Sequence, residues 1–191
     1  MPFRIFALLV IVPALAVGLP HRLRSRTDEK LDRMQEGIPI LVSLRLMGVS
    51  AWAAVLAWLI SPQSMAWSRL SLPDSVRLIG LPLGWFSVAW IWWVFHSLGS
   101  NLTDTVVTRR DHTLVQRGPY RWIRHPLYTI IMPFGLAFAL LAANWYMAAA
   151  SLVVFLLLAI RSRKEEENLV ARFGDAYRHY RATTGRFLPK L

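Results

Sequence analysis

The sequence predicts an all-α integral membrane protein with five transmembrane helices, and its composition and charge lead to this fold class. Of the 191 residues, 55% are hydrophobic and only 17% are charged, below the roughly 25% that is usual for soluble domains. The formal net charge is nevertheless +11, from 22 Lys and Arg residues against 11 Asp and Glu residues. The charges must therefore lie in segments separate from the apolar ones, which is typical of small multispanning membrane proteins. The chain contains no cysteine, so we expect no disulfide, no cysteine nucleophile and no thiolate metal site, and no residue is assigned as a metal ligand.

Five apolar runs are the predicted membrane helices of a single domain, residues 1–191. They are residues 3–19, 38–60, 76–98, 127–142 and 145–160. A helix needs about 20 residues to cross the hydrocarbon core, and the last two runs are slightly shorter than this. Because only Ala143 and Asn144 separate them, they are predicted to form a helical hairpin whose second arm continues out of the membrane. The alternative for the first run is a secretory signal peptide, although Pro20-His21-Arg22 is a poor cleavage site.

The positions of the basic residues predict the orientation of the chain in the membrane. Five lie in residues 21–37, five in 99–126 and eight in 161–191, which is 18 of the 22. Five spans place all three segments on one side, so the positive-inside rule gives an external N-terminus and a cytosolic C-terminus. The basic segments are also expected to attract anionic lipid headgroups. Orientation in the membrane and headgroup attraction together explain the net positive charge, so no nucleic-acid partner is expected.

Two polar blocks on the predicted cytosolic side are the candidate functional segments, residues 111–128 and 161–167. The first contains two His, three Arg and two Tyr residues, and Pro126 suits the first turn of a following helix. Helix N-termini attract anions, so Arg124 and His125 could meet a carboxylate or phosphate. Taken alone, the two blocks are equally compatible with a non-catalytic, headgroup-binding membrane protein. The five runs contain no acidic residue, which disfavours a proton or ion pathway.

Together, the two blocks resemble a known family. The segments "GPYRWIRHPLY" at 118–128 and "EEENLVARFGDAYRHYRATTGRFLP" at 165–189 are similar to the isoprenylcysteine carboxyl methyltransferases, integral membrane enzymes that use S-adenosylmethionine. "LPDSVRL" at 72–78 and "DHTLV" at 111–115 look like the small prokaryotic members. The resemblance covers residues 72–191, the family-like catalytic part, whereas the two N-terminal helices within residues 1–71 match only in hydropathy.

The resemblance implies a cytosolic site formed by the loop between helices 3 and 4, the hairpin of helices 4 and 5, and an amphipathic C-terminal tail. Arg161 is implied to contact the substrate carboxylate, and Arg124 is the second candidate catalytic residue. The implied S-adenosylmethionine contacts are His112, Thr113, Leu114, Val115, Tyr120, His125, Pro126, Leu127, Tyr128, Glu165 and Glu166. The implied reaction is methyl transfer to the carboxylate of a lipid-linked or prenylated acceptor, such as an isoprenylcysteine C-terminus, in contact with membrane lipids.

The spacing of Arg161 and Glu165 agrees with that assignment. Residues four apart share a helix face, with Arg161 nearer the hydrocarbon, where a lipid carboxylate would lie, and Glu165 further out. A terminal carboxyl with a pKa near 3.5 is ionised at neutral pH, so no general base is needed. Two other reactions remain open: lipid or sterol reduction with NADPH, because sterol reductases share the Arg-His-Pro-x-Tyr string, and phospholipid N-methylation, which would need a base.

The C-terminal tail is predicted to contain an amphipathic helix that covers the cofactor or lies on the membrane surface. Leu169, Phe173, Tyr177 and Tyr180 follow the spacing of one apolar helix face. Gly174 weakens a helix at that point, so the helix could break there.

Overall fold

Helices account for the regular structure of the chain in the computed structural model, which describes residues 2–24, 38–99 and 113–190. The α-helices of these ranges are α1 Pro2–Arg24, α2 Ile38–Ile60, α3 Asp74–Leu78, α4 Gly80–Leu98, α5 Pro126–Thr129, α6 Ile131–Ala142, α7 Trp145–Phe173 and α8 Asp175–Thr183. Two 3₁₀ helices, Pro62–Ser68 and Gly118–Arg121, lie in the connections. The predicted all-α class is confirmed.

Four of the helical segments are long and apolar enough to cross a membrane. They are Pro2–His21, Ile38–Ile60, Asp74–Leu98 and Trp145–Phe173, and Pro126–Ala142 is a shorter apolar helix. At 1.5 Å per residue, the 12 residues of α6 extend about 18 Å, against about 30 Å of hydrocarbon. Large apolar side chains face outward, with Leu46 65% and Val49 70% exposed, as lipid contact requires. The chain is an integral membrane protein, and the count of five crossings stays a prediction.

Contacts at the two ends of the bundle show that the helices alternate in direction. At one end, the Arg77 guanidinium lies 3.6 Å from the Phe3 ring centre, and its Nη2 donates to the Leu141 carbonyl over 2.8 Å. The start of α1 and the short α3, which leads directly into α4, therefore meet the end of α6. At the opposite end, the His21 and Phe95 rings lie 5.5 Å apart, which brings the last turns of α1 and α4 together. We call this second end, which also receives the end of α7, the site end.

The turn between α6 and α7 is the predicted tight hairpin. Ala143 adopts a left-handed conformation (φ +50°), and the Asn144 side-chain oxygen accepts from the Met147 backbone N–H over 3.1 Å, capping the first turn of α7. The Asn144 amide also donates to the Ser68 hydroxyl over 2.7 Å. These bonds fix the start of α7, and hence the height at which its last turns leave the apolar part of the bundle.

Helix α7 continues well beyond the apolar run, as predicted, and ends at Phe173, where it is capped by Gly174. Gly174 has φ +56° and ψ −128°, a conformation that favours glycine, so the chain turns sharply into α8. The turn directs Tyr177 and Tyr180 inward, where they are 1% and 5% exposed. The break at Gly174 is present and divides the predicted apolar face: Tyr177 and Tyr180 are buried on α8, whereas Leu169 and Phe173 are half-buried on α7.

Candidate functional site

A buried carboxylate with three nitrogen-bearing partners lies at the centre of the site end. Glu166 on α7 is 2% exposed. Its Oε1 accepts from Arg124 Nε over 2.8 Å and lies 3.3 Å from His125 Nε2. Its Oε2 accepts from Arg186 Nη2 over 2.7 Å. We call Arg124, His125, Glu166 and Arg186 the Glu166 cluster; its charge-assisted bonds compensate the loss of hydration of the buried carboxylate.

Backbone pairing between two distant segments brings the cluster together. Residues 122–125, which precede α5, lie beside residues 185–186 of the tail. The backbone N–H groups of Arg124 and His125 donate to the carbonyls of Gly185 and Arg186 over 2.9 and 3.0 Å. In return, the Gly185 N–H donates to the Trp122 carbonyl over 3.0 Å. The tail therefore runs directly across the segment that carries the predicted His-Pro-x-Tyr contacts.

A second carboxylate lies next to the cluster and is more accessible. Glu165 Oε2 accepts from the Tyr128 hydroxyl over 2.8 Å and lies 3.8 Å from His125 Nδ1. The Tyr128 and His125 rings stack 5.2 Å apart with an interplanar angle of 11°. The side chain of Glu165 is 26% exposed, against 2% for Glu166. His125 therefore lies between two carboxylates of very different accessibility, and Glu165 is the one that a ligand can reach.

Three tyrosines line the site with uncharged phenols. The Tyr180 hydroxyl donates to the Tyr120 carbonyl over 2.6 Å, joining α8 to the 3₁₀ helix Gly118–Arg121. Burial raises the pKa of the Tyr177 phenol, and the nearby Glu166 carboxylate raises that pKa further. Burial and then Glu165 do the same to the pKa of Tyr120. These phenols therefore stay protonated and polar without adding charge, and within the described ranges the buried Tyr177 hydroxyl has no hydrogen-bond partner.

Several of the predicted cofactor residues lie in this site or against its wall. His125, Tyr128, Glu165 and Glu166 are in mutual contact as described above, and Pro126 starts α5 as predicted. The Pro126 carbonyl accepts from Trp90 Nε1 over 2.9 Å. Tyr120 and Leu127 pack against the end of α4 beside Val94 and Phe95. The predicted combination of the segment before α5 with the end of α7 is therefore present in the fold, and contact with a cofactor stays a prediction.

The other predicted cofactor segment is described only in part. Thr113 is exposed, and Leu114 and Val115 are half-buried in an irregular stretch that leads to the 3₁₀ helix Gly118–Arg121. The prediction for His112 lies outside the described residues.

The two predicted catalytic arginines have different surroundings. Arg161 is half-buried and lies one turn before Glu165 on the same continuous helix, so the predicted shared face is confirmed. Arg124 is committed to protein partners: besides Glu166, its Nη1 donates to the carbonyls of Arg181 and Thr184, and its side chain is only 9% exposed. Arg124 therefore connects the tail to Glu166. Direct contact of Arg161 or Arg124 with substrate stays a prediction.

Arg186 is a residue of the Glu166 cluster for which the sequence predicted no role. It lies in the "TGRFLP" end of the quoted tail, but it is 20 residues from Glu166 and separated from it by the break at Gly174. No helical or strand spacing relates two residues across such a break. The family-like tail segment at residues 165–189 contains Arg186, but nothing in that segment indicates that Arg186 contacts Glu166.

Comparison with known proteins agrees with the position of this site. Residues 80–171 match the family model of the isoprenylcysteine carboxyl methyltransferase (ICMT) family. A protein-S-isoprenylcysteine O-methyltransferase of Schizosaccharomyces pombe is 33% identical over 96 residues, which cover 49% of this chain and 41% of that protein. A human protein of the same name is 26% identical over 141 residues, which cover 72% of this chain and 50% of that protein.

A solved structure shares the fold. The eukaryotic intramembrane Ras methyltransferase ICMT superposes with a TM-score of 0.57 at 23% identity, over 76% of this chain and 51% of that one. The chain thus spans about half the length of the curated relatives that it matches. The matched region, residues 80–171, contains the segment before α5 and both carboxylates of the site. Over residues 80–171, the chain is thus similar to the isoprenylcysteine carboxyl methyltransferase family, and its fold agrees with that similarity.

Proposed function

We propose that the protein is an S-adenosylmethionine-dependent methyltransferase that methylates the carboxylate of a lipid-linked acceptor such as an isoprenylcysteine C-terminus. The observation that carries this proposal is the contact of Tyr128 and His125 with Glu165 across the fold, which joins two family-like segments in one accessible site. The curated relatives are named protein-S-isoprenylcysteine O-methyltransferase, which supports the same reaction. On the predicted orientation, this site faces the cytosol.

The groups present at the site suit a cationic sulfonium cofactor. Glu165 offers a partly exposed carboxylate, and the Tyr128 and Tyr120 rings beside it offer aromatic faces that attract cations. The two arginines of the Glu166 cluster, Arg124 and Arg186, already donate to Glu166 and Arg124 is only 9% exposed, so their donors are less available to a polyphosphate cofactor. Glu165, Tyr128 and Tyr120 would hold the cofactor, which supplies an electrophilic methyl group.

The position of Arg161 suits the carboxylate of a lipid acceptor. It directly follows the apolar run of α7, whose last residue, Ile160, is 51% exposed on the lipid-facing surface. A lipid chain alongside this surface would bring its terminal carboxylate to the height of Arg161. That carboxylate is already ionised, and its charge disappears during methylation, so the contribution of Arg161 is orientation of the attack rather than stabilisation of developing charge.

Binding measurements on the detergent-solubilised protein test the cofactor. We expect calorimetric titration to show binding of S-adenosylhomocysteine and none of NADPH. Glu165→Gln should weaken S-adenosylhomocysteine binding by about 1.5–3 kcal/mol, the value of a hydrogen bond to a charged group. Glu167→Gln is the matched control, because Glu167 is 67% exposed and pairs with Lys164 one turn away. Binding of NADPH without S-adenosylhomocysteine would refute the methyltransferase and favour a reductase.

Turnover measurements separate the acceptor from the cofactor. Arg161→Ala should reduce methylation of a prenylated cysteine substrate while the affinity for S-adenosylhomocysteine stays nearly unchanged. Arg161→Lys should restore turnover only in part, because a single ammonium lacks the two-pronged geometry of a guanidinium. If Arg161→Ala abolished cofactor binding and Glu165→Gln did not, the two roles would be reversed.

A further inference from the structure

Arg186 joins the tail to the centre of the site and has no function in the reaction described above. We propose that it is a positioning residue: from the tail, it fixes the Glu166 carboxylate and, through it, the His125 ring that adjoins the cofactor-binding Glu165. This inference rests on the proposed function for its catalytic consequence, but the structural coupling can be measured separately.

The contacts of Arg186 with Glu166 have the geometry of a two-pronged clamp. Arg186 Nη2 donates to Oε2 over 2.7 Å, and Arg186 Nε lies 3.3 Å from Oε1. A guanidinium that engages both oxygens fixes the rotation of the carboxylate plane, which a single point charge does not. Arg124 contributes one further bond, to Oε1. The orientation of the carboxylate therefore depends on Arg186, whereas its charge is compensated by both arginines.

The orientation of Glu166 is transmitted to His125. One ring nitrogen, Nε2, lies 3.3 Å from Glu166 Oε1, and the other, Nδ1, lies 3.8 Å from Glu165 Oε2. Tyr128 stacks on the ring, and Phe187, the next residue of the tail, lies 5.9 Å from it. Rotation of the Glu166 carboxylate would remove the partner of Nε2 and allow the ring to turn. The environment of Glu165 would change with it.

The tail has other attachments, so substitution of Arg186 tests the clamp and not the docking of the tail. The backbone bonds of residues 124–125 with residues 185–186 do not involve the Arg186 side chain. The Thr129 hydroxyl donates to the Phe187 carbonyl over 2.7 Å, and the Phe187 ring packs 5.3 Å from that of Phe155 on α7. The Arg186 side chain is itself 33% exposed, so a shorter polar side chain there can be hydrated.

The experiment compares Arg186→Gln and Arg186→Lys with a matched control, Arg178→Gln. Arg178 is an arginine of the same tail, but it is 59% exposed and pairs with the exposed Asp175 one turn away. We would record the imidazole resonances of protein labelled with ¹⁵N-histidine in detergent, and identify His125 by the signal missing from His125→Gln. The dissociation constant of S-adenosylhomocysteine and the acceptor KM would be measured on the same samples.

We expect Arg186→Gln to shift the His125 ring signals and to raise the dissociation constant about tenfold, the equivalent of about 1.4 kcal/mol. The acceptor KM should change little, and Arg186→Lys should give an intermediate dissociation constant. Arg178→Gln should leave both the signals and the dissociation constant unchanged.

Unchanged His125 signals in folded Arg186→Gln would overturn the proposal, and so would a lower thermal stability as the sole effect. If Arg186→Gln does not fold, Arg186→Lys decides, since it keeps the charge and loses only the fork. If the wild-type protein did not bind S-adenosylhomocysteine, the proposed function would fail, and the ring signals would still show whether Arg186 controls His125.

Discussion

Three consecutive glutamates on α7 provide a direct test of the site geometry, and the middle one should control stability. Glu166 is 2% exposed and paired with two arginines, whereas Glu167 is 67% exposed. Glu166→Gln preserves the size of the side chain, so it removes the negative charge without creating a cavity. The substitution leaves the guanidinium of Arg124, which is 9% exposed, without its anion.

The expected cost follows from this loss of pairing. Removing one partner of a buried ion pair typically destabilises a protein by about 3–5 kcal/mol, because the remaining charge stays buried and uncompensated. Arg186 is 33% exposed and can turn towards water, and the glutamine oxygen can still accept one bond from Arg124. We therefore expect a loss of about 3 kcal/mol, the lower end of that range. Glu167→Gln should change stability by less than about 0.5 kcal/mol, because exposed pairs contribute little.

The assay is the free energy of unfolding in one detergent for wild type, Glu166→Gln and Glu167→Gln, without ligand. Equal stabilities for the two variants would refute the argument, since they would mean that Glu166 is hydrated or that its arginines have other anionic partners. A larger loss for Glu167→Gln would show that the face of α7 that packs against the tail is wrongly assigned.

Three further substitutions test other parts of the fold by thermal unfolding in the same detergent. Tyr177→Phe should leave the apo protein as stable as wild type or more stable by up to about 1 kcal/mol, because the buried hydroxyl lacks a partner within the described ranges; a loss above about 1 kcal/mol would reveal one. Gly174→Ala should destabilise by about 1–3 kcal/mol, because φ is +56° there, and no loss would mean that the break can relax. Asn144→Ala removes both the α7 cap and the bond to Ser68, so a loss of about 1–2 kcal/mol is expected; an unchanged midpoint would contradict the cap.

Much of the architecture could be predicted from the sequence because it depends on local features, namely the length of each apolar run and the residue types at the turns. The run at residues 38–60 coincides with α2, since length and uninterrupted apolar composition determine a membrane helix. The tight turn at residues 143–144 and the break at Gly174 were also predictable, because they depend on residue types and on short spacing. The third run, predicted from residue 76, lies in one helical span, Asp74–Leu98, that begins two residues earlier; α3 and α4 meet at Ile79, which keeps helical φ and ψ angles of −58° and −27°.

The family-like segments identified the site, but tertiary structure decided what each charged residue does there. Glu165, Glu166 and Glu167 are adjacent in sequence and chemically identical, and they point in three directions because successive residues on a helix are about 100° apart. Which direction is buried depends on where the tail lies. The tail lies over Glu166, and this makes Glu166 a buried anchor, Glu165 the accessible carboxylate and Glu167 a surface residue.

Arg124 and Arg186 also show the difference between what the sequence predicts and what the tertiary structure decides. The sequence by itself predicted that basic residues concentrate on one side of the membrane, because hydrocarbon excludes charge from the spans. It did not determine that two of these residues neutralise one buried glutamate, since that contact joins segments 42 and 20 residues apart. The pairing requires that α8 turns back at Gly174 and that the tail lies along the segment before α5. Long-range packing, rather than any local preference, therefore decided which charges face a ligand and which stabilise the fold.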